Sequence, residues 1–274
     1  MNPPQSLGPA QGAATFRIAS LVPSLTELLV DLGLGHCLVA RTGFCVHPRE
    51  ALADVPKVGG TKDVNLAKLQ RLAPSHVLVN VDENRAETVE ALRAWPNPPQ
   101  VIVTHPLAPA DNLMLFGQMA EAFGAVAGVG ERAAALRREL EHELAVLHAG
   151  PPRRVLYLIW REPWMTVARD TYISQLLAHV HWHTLPDVTG GPHGAARYPV
   201  VAADAPWLAD VQEVLLSSEP YRFGAGHMAE AQALCPQARV LLVDGELLSW
   251  YGPRAAEGLR YARGLARDAL ASTA

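Results

Sequence analysis

The sequence predicts an α/β fold built on parallel sheets, and three observations predict it. Short aliphatic runs, among them His76 to Asn80, Arg154 to Trp160 and Arg239 to Val243, are separated by stretches with helical periodicity, the rhythm of parallel strands with helices packed on their faces. Near the middle, Gly130 to His148 reads GERAAALRRELEHELAVLH, a long helix without internal breaks. Beyond that helix the strand-and-helix rhythm starts again. The periodicity alone is compatible with a brace joining two α/β lobes and with a surface helix inside one larger α/β domain.

Taken in order, residues 1 to 14 are rich in Pro, Gly and Ala, the composition of a disordered tail. Phe16 to Val22 is an apolar strand. Ser24 followed by Glu27 is the pattern of a capping box opening a helix to Asp31, and Gly33 and Gly35 end it. Cys37 to Ala40 is a second strand, Asn65 to Leu72 a short helix, His76 to Asn80 a buried strand and Asn84 to Trp95 a helix. Asp82 or Asn84 is expected to cap that helix. Val101 to Thr104 is a strand, and the helix from Asp111 to Phe123 feeds the long one.

In the long helix Ala133, Leu136, Leu140, Leu144 and Leu147 form an apolar stripe, while Glu131, Arg137, Arg138, Glu139, Glu141 and Glu143 occupy the other faces. Gly150, Pro151 and Pro152 stop it, after roughly 28 Å at about 1.5 Å per residue. Further on, Asp170 to Ala178, His227 to Leu234 and Arg254 to Arg267 are helices, and the passage from Leu208 to Leu216 turns from helix to strand. Ligands of such sheets lie at the carboxyl ends of the strands, so the loops after Val22, Ala40, Asn80, Thr104, Trp160, Leu216 and Val243 matter most.

At 274 residues, with 49% hydrophobic and 18% charged residues, the chain can bury a large core. Lys+Arg 23 against Asp+Glu 27 leaves a net charge of -4, which does not favour nucleic acid as a partner. Cys37, Cys45 and Cys235 are too scattered for a disulfide framework, though a single bridge is compatible with them. No apolar run reaches the ~18 residues of a membrane span, and the first residues lack the pattern of a signal peptide. As written, a cytoplasmic monomer is expected.

Few strings suggest chemistry. His179, His181 and His183 in HVHWH would face one way in a strand and offer a zinc site, but the string follows a helix closely and also reads as a turn. Cys45 and His47 lie two apart, a spacing that seldom lets a nucleophile meet its base. The nucleophile-elbow, P-loop, dinucleotide and HExxH motifs are absent. Aromatic residues, in contrast, gather in the strand-end loops: Phe44, Trp160, Trp164, Tyr198, Trp250 and Tyr251. Flat side chains at a cleft mouth suit a large flat ligand.

Several stretches resemble a known family. They are Leu21-Val22-Pro23-Ser24-Leu25-Thr26-Glu27-Leu28, Phe44-Cys45-Val46-His47-Pro48, Val58-Gly59-Gly60 leading to Asn65-Leu66, Leu72-Ala73-Pro74, Arg161-Glu162-Pro163-Trp164, Tyr198-Pro199 and Trp250-Tyr251-Gly252-Pro253-Arg254. In order and spacing they are similar to the substrate-binding proteins of ABC importers for vitamin B12 and iron chelates, within the helical backbone metal receptor superfamily. The resemblance implies two Rossmann-like lobes tied by one long helix, of the class III periplasmic-binding-protein type. It divides the chain into the tail 1–14, a lobe 15–127, the connecting helix 128–150 and a lobe 151–274.

It also implies a non-catalytic protein without covalent cofactor that holds cobalamin or a related metal chelate in the inter-lobe cleft. Phe44, Trp164, Met165, Tyr198 and Trp250 would then supply apolar wall, and Thr61, Asn80 and Glu246 would hydrogen-bond polar groups of the ligand. Trp250 replaces a family arginine four residues after the acid, and Thr61 and Asn80 replace two tryptophans. The family docks on an ABC permease, usually from the periplasm, through one acid on each lobe. Asp204 matches one of these, but Ala67, beside Lys68, stands where the other is expected, so docking should be weakened. The rival expectation is a cytoplasmic metal-dependent enzyme using His179, His181 and His183.

Overall fold

The computed structural model describes residues 16–271, so the tail 1–14 lies outside the described residues. They fall into two compact units, one holding 16–103 with Gly117–Ala134, the other Thr104–Phe116 with 135–271. In the first, β1 (Ile18–Ser20), β2 (Leu38–Arg41), β3 (His76–Asn80) and β4 (Gln100–Thr104) form a sheet of order β2-β1-β3-β4. Ile18 lies opposite both Leu38 and His76 in parallel register. Its helices are α1 (Pro23–Asp31), α2 (Leu66–Arg71) and α3 (Ala86–Arg93), while α4 (Asn112–Phe123) and α5 (Val129–Ala145) are each divided between the two units.

The second unit repeats the plan. β5 (Arg153–Leu158), β6 (Trp182–Thr184), β7 (Glu213–Ser217) and β8 (Arg239–Val243) take the order β6-β5-β7-β8, with α6 (Tyr172–Ala178), α7 (Met228–Leu234), α8 (Gly245–Ser249) and α9 (Ala255–Ala271) around them. β7 is buried along its whole length, as a strand covered on both faces must be. Leu156, Val214 and Val240 bring neighbouring strands into one apolar cluster. Val77, Val79, Ala19 and Leu69 do the same in the first unit.

Segment 104–116 groups with the second unit because Asn112 fastens it there. Its Nδ2 donates to the carbonyl of Pro109 (2.9 Å), and its Oδ1 accepts from the amide of Gly252 (2.6 Å). The long helix crosses the boundary between the units, which falls between Ala134 and Ala135.

Four local expectations are corrected. α1 has no capping box: Pro23, which has no N–H to cap, opens it, and Thr26 Oγ1 donates to Ser20 Oγ and the Val22 carbonyl, both at 2.8 Å. α3 is capped by neither Asp82 nor Asn84, since Arg85 holds the cap position and makes no side-chain bond there. α5 ends at Ala145, short of Gly150, because Arg263 Nη1 donates to the Glu143 carbonyl (3.2 Å) and takes over the helix end. Leu147 is therefore 91% exposed, whereas Glu143 is buried and clasped by Arg260 and Arg263. β5 stops at Leu158, two residues before Trp160.

Candidate functional site

At the carboxyl edge of the first sheet the loop after β2 carries Phe44, which is 62% exposed. Gly60 lets the ring lie close, since a Cβ there would approach it to 3.3 Å. The amide of Gly43 donates to the Gly59 carbonyl (2.7 Å) and that of Gly60 to the Asp63 carbonyl (3.2 Å), locking this loop to the next. Gly59 has φ of +102°, and a Cβ on it would fall 2.3 Å from the Asp63 carbonyl oxygen. Only glycine tolerates both.

Behind this loop Asn84 does what sequence reasoning missed. Its Nδ2 donates to the carbonyls of Leu21 (3.2 Å) and Thr61 (2.9 Å), and its Oδ1 accepts from the amide of Asn80 (2.9 Å). One buried amide thus ties three loops together. Asn80 is buried as well, with its Oδ1 accepting from the amides of Asp82 (2.8 Å) and Glu83 (3.3 Å), so its carbonyl is engaged within the protein. Thr61 is half-buried.

At the carboxyl edge of the second sheet, Trp160 pairs with Met165 and Met165 with Val200, while the amide of Val201 donates to the Trp164 carbonyl (2.8 Å). Trp164, Met165 and Tyr198, all half-buried, are thereby brought onto neighbouring segments. An aromatic series continues from them. Trp164 stacks on Phe223 (centroids 5.9 Å apart), Phe223 meets Tyr221 (4.7 Å), and Tyr221 meets Trp160 edge-on (5.6 Å). His227 closes the group: its Nδ1 accepts from the amide of Gly224 (3.0 Å), leaving Nε2–H to face the Tyr221 hydroxyl (3.2 Å). Tyr221, Phe223 and His227 were not singled out from the sequence; the signal was the Tyr-Arg-Phe that follows buried β7.

Trp250 is only 7% exposed. Its Nε1–H donates to Glu219 Oε1 (2.6 Å), and the Arg254 guanidinium lies 4.6 Å from its ring centre. Arg254 also pairs with Glu246 (2.7 Å), so an arginine does meet this acid, from eight residues on rather than four. Burial pushes the Glu219 carboxyl above its ordinary range, and Glu246 and Asp244 add to this against the hydrogen bonds from Ser249 and Trp250.

The histidine string does not form one site. His179 caps the C-terminus of α6, His181 adopts φ of +57° with its Nδ1 on the Gly150 carbonyl (3.0 Å), and only His183 lies in β6. Trp182 between them is buried in the core. Among the described residues no group of three or more His, Cys, Asp or Glu is placed to hold a metal ion. Cys45 is likewise no nucleophile: it is fully buried against Thr42, and burial raises its thiol. All three cysteines are free.

No protein-family model matches the sequence. A vitamin B12-binding protein of Vibrio campbellii is 28% identical over 229 residues, covering 81% of this chain and 76% of that protein. An ABC transporter substrate-binding lipoprotein of Bacillus subtilis is 23% identical over 89% of this chain and 77% of its own length. Among solved structures, the periplasmic vitamin B12 binding protein BtuF of Vibrio cholerae superposes with a TM-score of 0.75 at 19% identity, covering 93% of this chain and 97% of that one. The periplasmic haem binding protein HutB of the same organism gives 0.74 at 20% identity, covering 92% and 99%. In sequence and fold the chain resembles the substrate-binding proteins of ABC importers. No helix among the described residues is long and apolar enough to cross a membrane.

Proposed function

We propose that this chain binds a bulky metal chelate of the corrinoid or haem type at the carboxyl edges of its sheets, as the substrate-binding component of an ABC importer. The observation that carries this is the aromatic series Trp164, Phe223, Tyr221 and Trp160 at the edge of the second sheet. Rings held by one another, with Trp160 exposed and Trp164 and Tyr221 half-buried, offer rigid aromatic surface at little entropic cost, which suits a macrocycle. Phe44 at the first edge would offer apolar surface to the ligand, and so would Trp164, Met165, Tyr198 and Trp250 in the second unit, with Glu246 as a polar partner there. Thr61 and Asn80 supply the polar part of the first edge. A chelate brings its metal already coordinated, so this function needs no metal-binding motif in the chain.

Contact with a permease would rest on Asp204, which stands exposed, while Ala67 offers no charge on the exposed side of α2. A single acid orients a partner less well than a pair.

Titration of the purified chain with cobalamin, cobinamide and haemin, followed by tryptophan quenching and absorption, tests the reading. At least one chelate should bind at micromolar or lower Kd. Trp164→Ala should weaken that binding by roughly 30-fold, about 2 kcal/mol. Absence of binding by every chelate would exclude the proposal.

A further inference from the structure

Glu219 stands two residues beyond β7, at the edge proposed above to face the ligand, and its placement is fixed from several sides. Ser217 Oγ donates to its carbonyl (2.6 Å). Ser249 Oγ (2.8 Å) and Trp250 Nε1 (2.6 Å) both donate to Oε1. Gly245 opens the space it fills, since a Cβ there would lie 2.9 Å from Glu219 Cγ and 2.3 Å from Ser217 Oγ. The second carboxyl oxygen, Oε2, accepts no hydrogen bond from any described residue.

The charges around it have one dominant sign. Asp244 and Glu246 both act on the Glu219 carboxyl, and the Arg254 guanidinium that lies over Trp250 is paired with Glu246. Removed from much of its water, the carboxylate is pushed toward holding its proton. A hydrogen-bond donor arriving with the ligand would relieve this, because N–H bonds to an ionised acceptor are stronger than neutral ones. An arriving carboxylate would meet like charge instead.

We propose that Glu219 is a specificity-determining residue whose Oε2 accepts an N–H from the ligand periphery, so that the second edge selects a chelate fringed with carboxamides over one fringed with carboxylates. This rests on the chelate-binding reading above. It narrows that reading to corrinoid-type ligands, whose periphery is amide, against porphyrins carrying free propionates.

Three probes test it on the intact chain: dicyanocobinamide, haemin and haemin dimethyl ester. The wild type should bind cobinamide at least tenfold more tightly than haemin. It should also bind the ester at least tenfold more tightly than haemin, because esterification removes the charge and keeps the ring. Glu219→Gln, whose carbonyl still accepts from Ser249 and Trp250 but which puts an amide NH2 donor where Oε2 stood, should shrink the cobinamide preference at least fivefold. Preference for haemin over both other probes overturns the inference while leaving chelate binding intact. Equal weakening of all probes by Glu219→Gln also overturns it, since that is what mere support of Trp250 would produce. Binding of none of the three removes the underlying reading and this inference with it. The comparison of haemin with its ester needs no variant and so does not depend on how Glu219→Gln folds.

Discussion

The two sheets share one strand order, yet their aromatic groups sit at opposite ends. In the first unit Phe16, His76 and Phe123 meet edge to face, with centroids 5.2 to 5.3 Å apart, around the residue that begins β3. They therefore close the amino edge, and the carboxyl edge is held by the side-chain amides of Asn80 and Asn84. In the second unit the aromatic group lies at the carboxyl edge, with Glu219, Trp250 and Arg254 beside it. The difference teaches that the sheet fixes where an edge lies, while the loops decide whether it is a closed hydrogen-bonded rim or an apolar platform.

The sharpest way to break the first rim is Asn84→Asp. Asn84 is 5% exposed and donates to two carbonyls, and a carboxylate there removes both donors and faces two oxygens. Unsatisfied buried groups cost about 1–3 kcal/mol each, so a loss of about 3 kcal/mol is expected in urea denaturation, against about 2 kcal/mol for Asn84→Ala. A change below 0.5 kcal/mol in Asn84→Asp would show that the rim is held by something other than this amide.

A smaller effect distinguishes two glutamates of the second unit. Burial alone would raise the Glu143 carboxyl, but the hydrogen bonds and charges of Arg260 and Arg263 outweigh it and hold it below the ordinary value of 4.5. Its stabilisation is thus complete above that value and is lost as pH falls through the lower, folded-state value. Glu219 is held above 4.5. The opposite sign follows: its ionisation costs stability above the folded-state value, and the cost fades as pH falls toward 4.5. Thermal unfolding across this range should show Glu143→Gln lowering stability by about 1 kcal/mol near neutral pH and flattening the acid limb. Glu219→Gln should remove the opposing slope. The same slope in both variants would contradict the assignment.

How much of this was legible in the sequence depended on range. Periodicity is local, so the strands and the long helix could be read from it, and the family resemblance extended this to the two-unit fold. What could not be read depends on partners far along the chain. Glu143 looks like a surface residue until Arg260 and Arg263, 117 and 120 positions away, reach it. Asn84 looks like a cap until Leu21 and Thr61 are placed beside it. The histidine string offers a metal site only if a strand period holds throughout it, and the alternative reading as a turn is the one the structure shows: the residues run from helix end through a left-handed turn into β6. Ser24 failed as a cap because Pro23 had already begun the helix. At the candidate site, the aromatic positions were visible as residue types in loops, but the stacking order was not, and neither was the arginine that reaches Glu246 from position 254.

The smallest expected change in stability, and the one that bears most directly on the comparison, is Phe44→Ala. Phe44 lies 62% exposed on the rim of the first unit and rests on Gly60, so its ring adds little to the fold. Surface substitutions of this kind stay within about 0.5 kcal/mol. Trp164, stacked on Phe223 and packed against the second core, differs in this respect, and Trp164→Ala should cost about 2 kcal/mol of stability together with its binding. For Phe44→Ala, stability and binding should therefore separate: an unchanged melting curve with chelate affinity reduced about tenfold, or about 1.4 kcal/mol. If affinity is unchanged as well, the first unit contributes no aromatic contact. The ligand would then be carried by the second edge, and the exposed Phe44 ring would have no part in recognition.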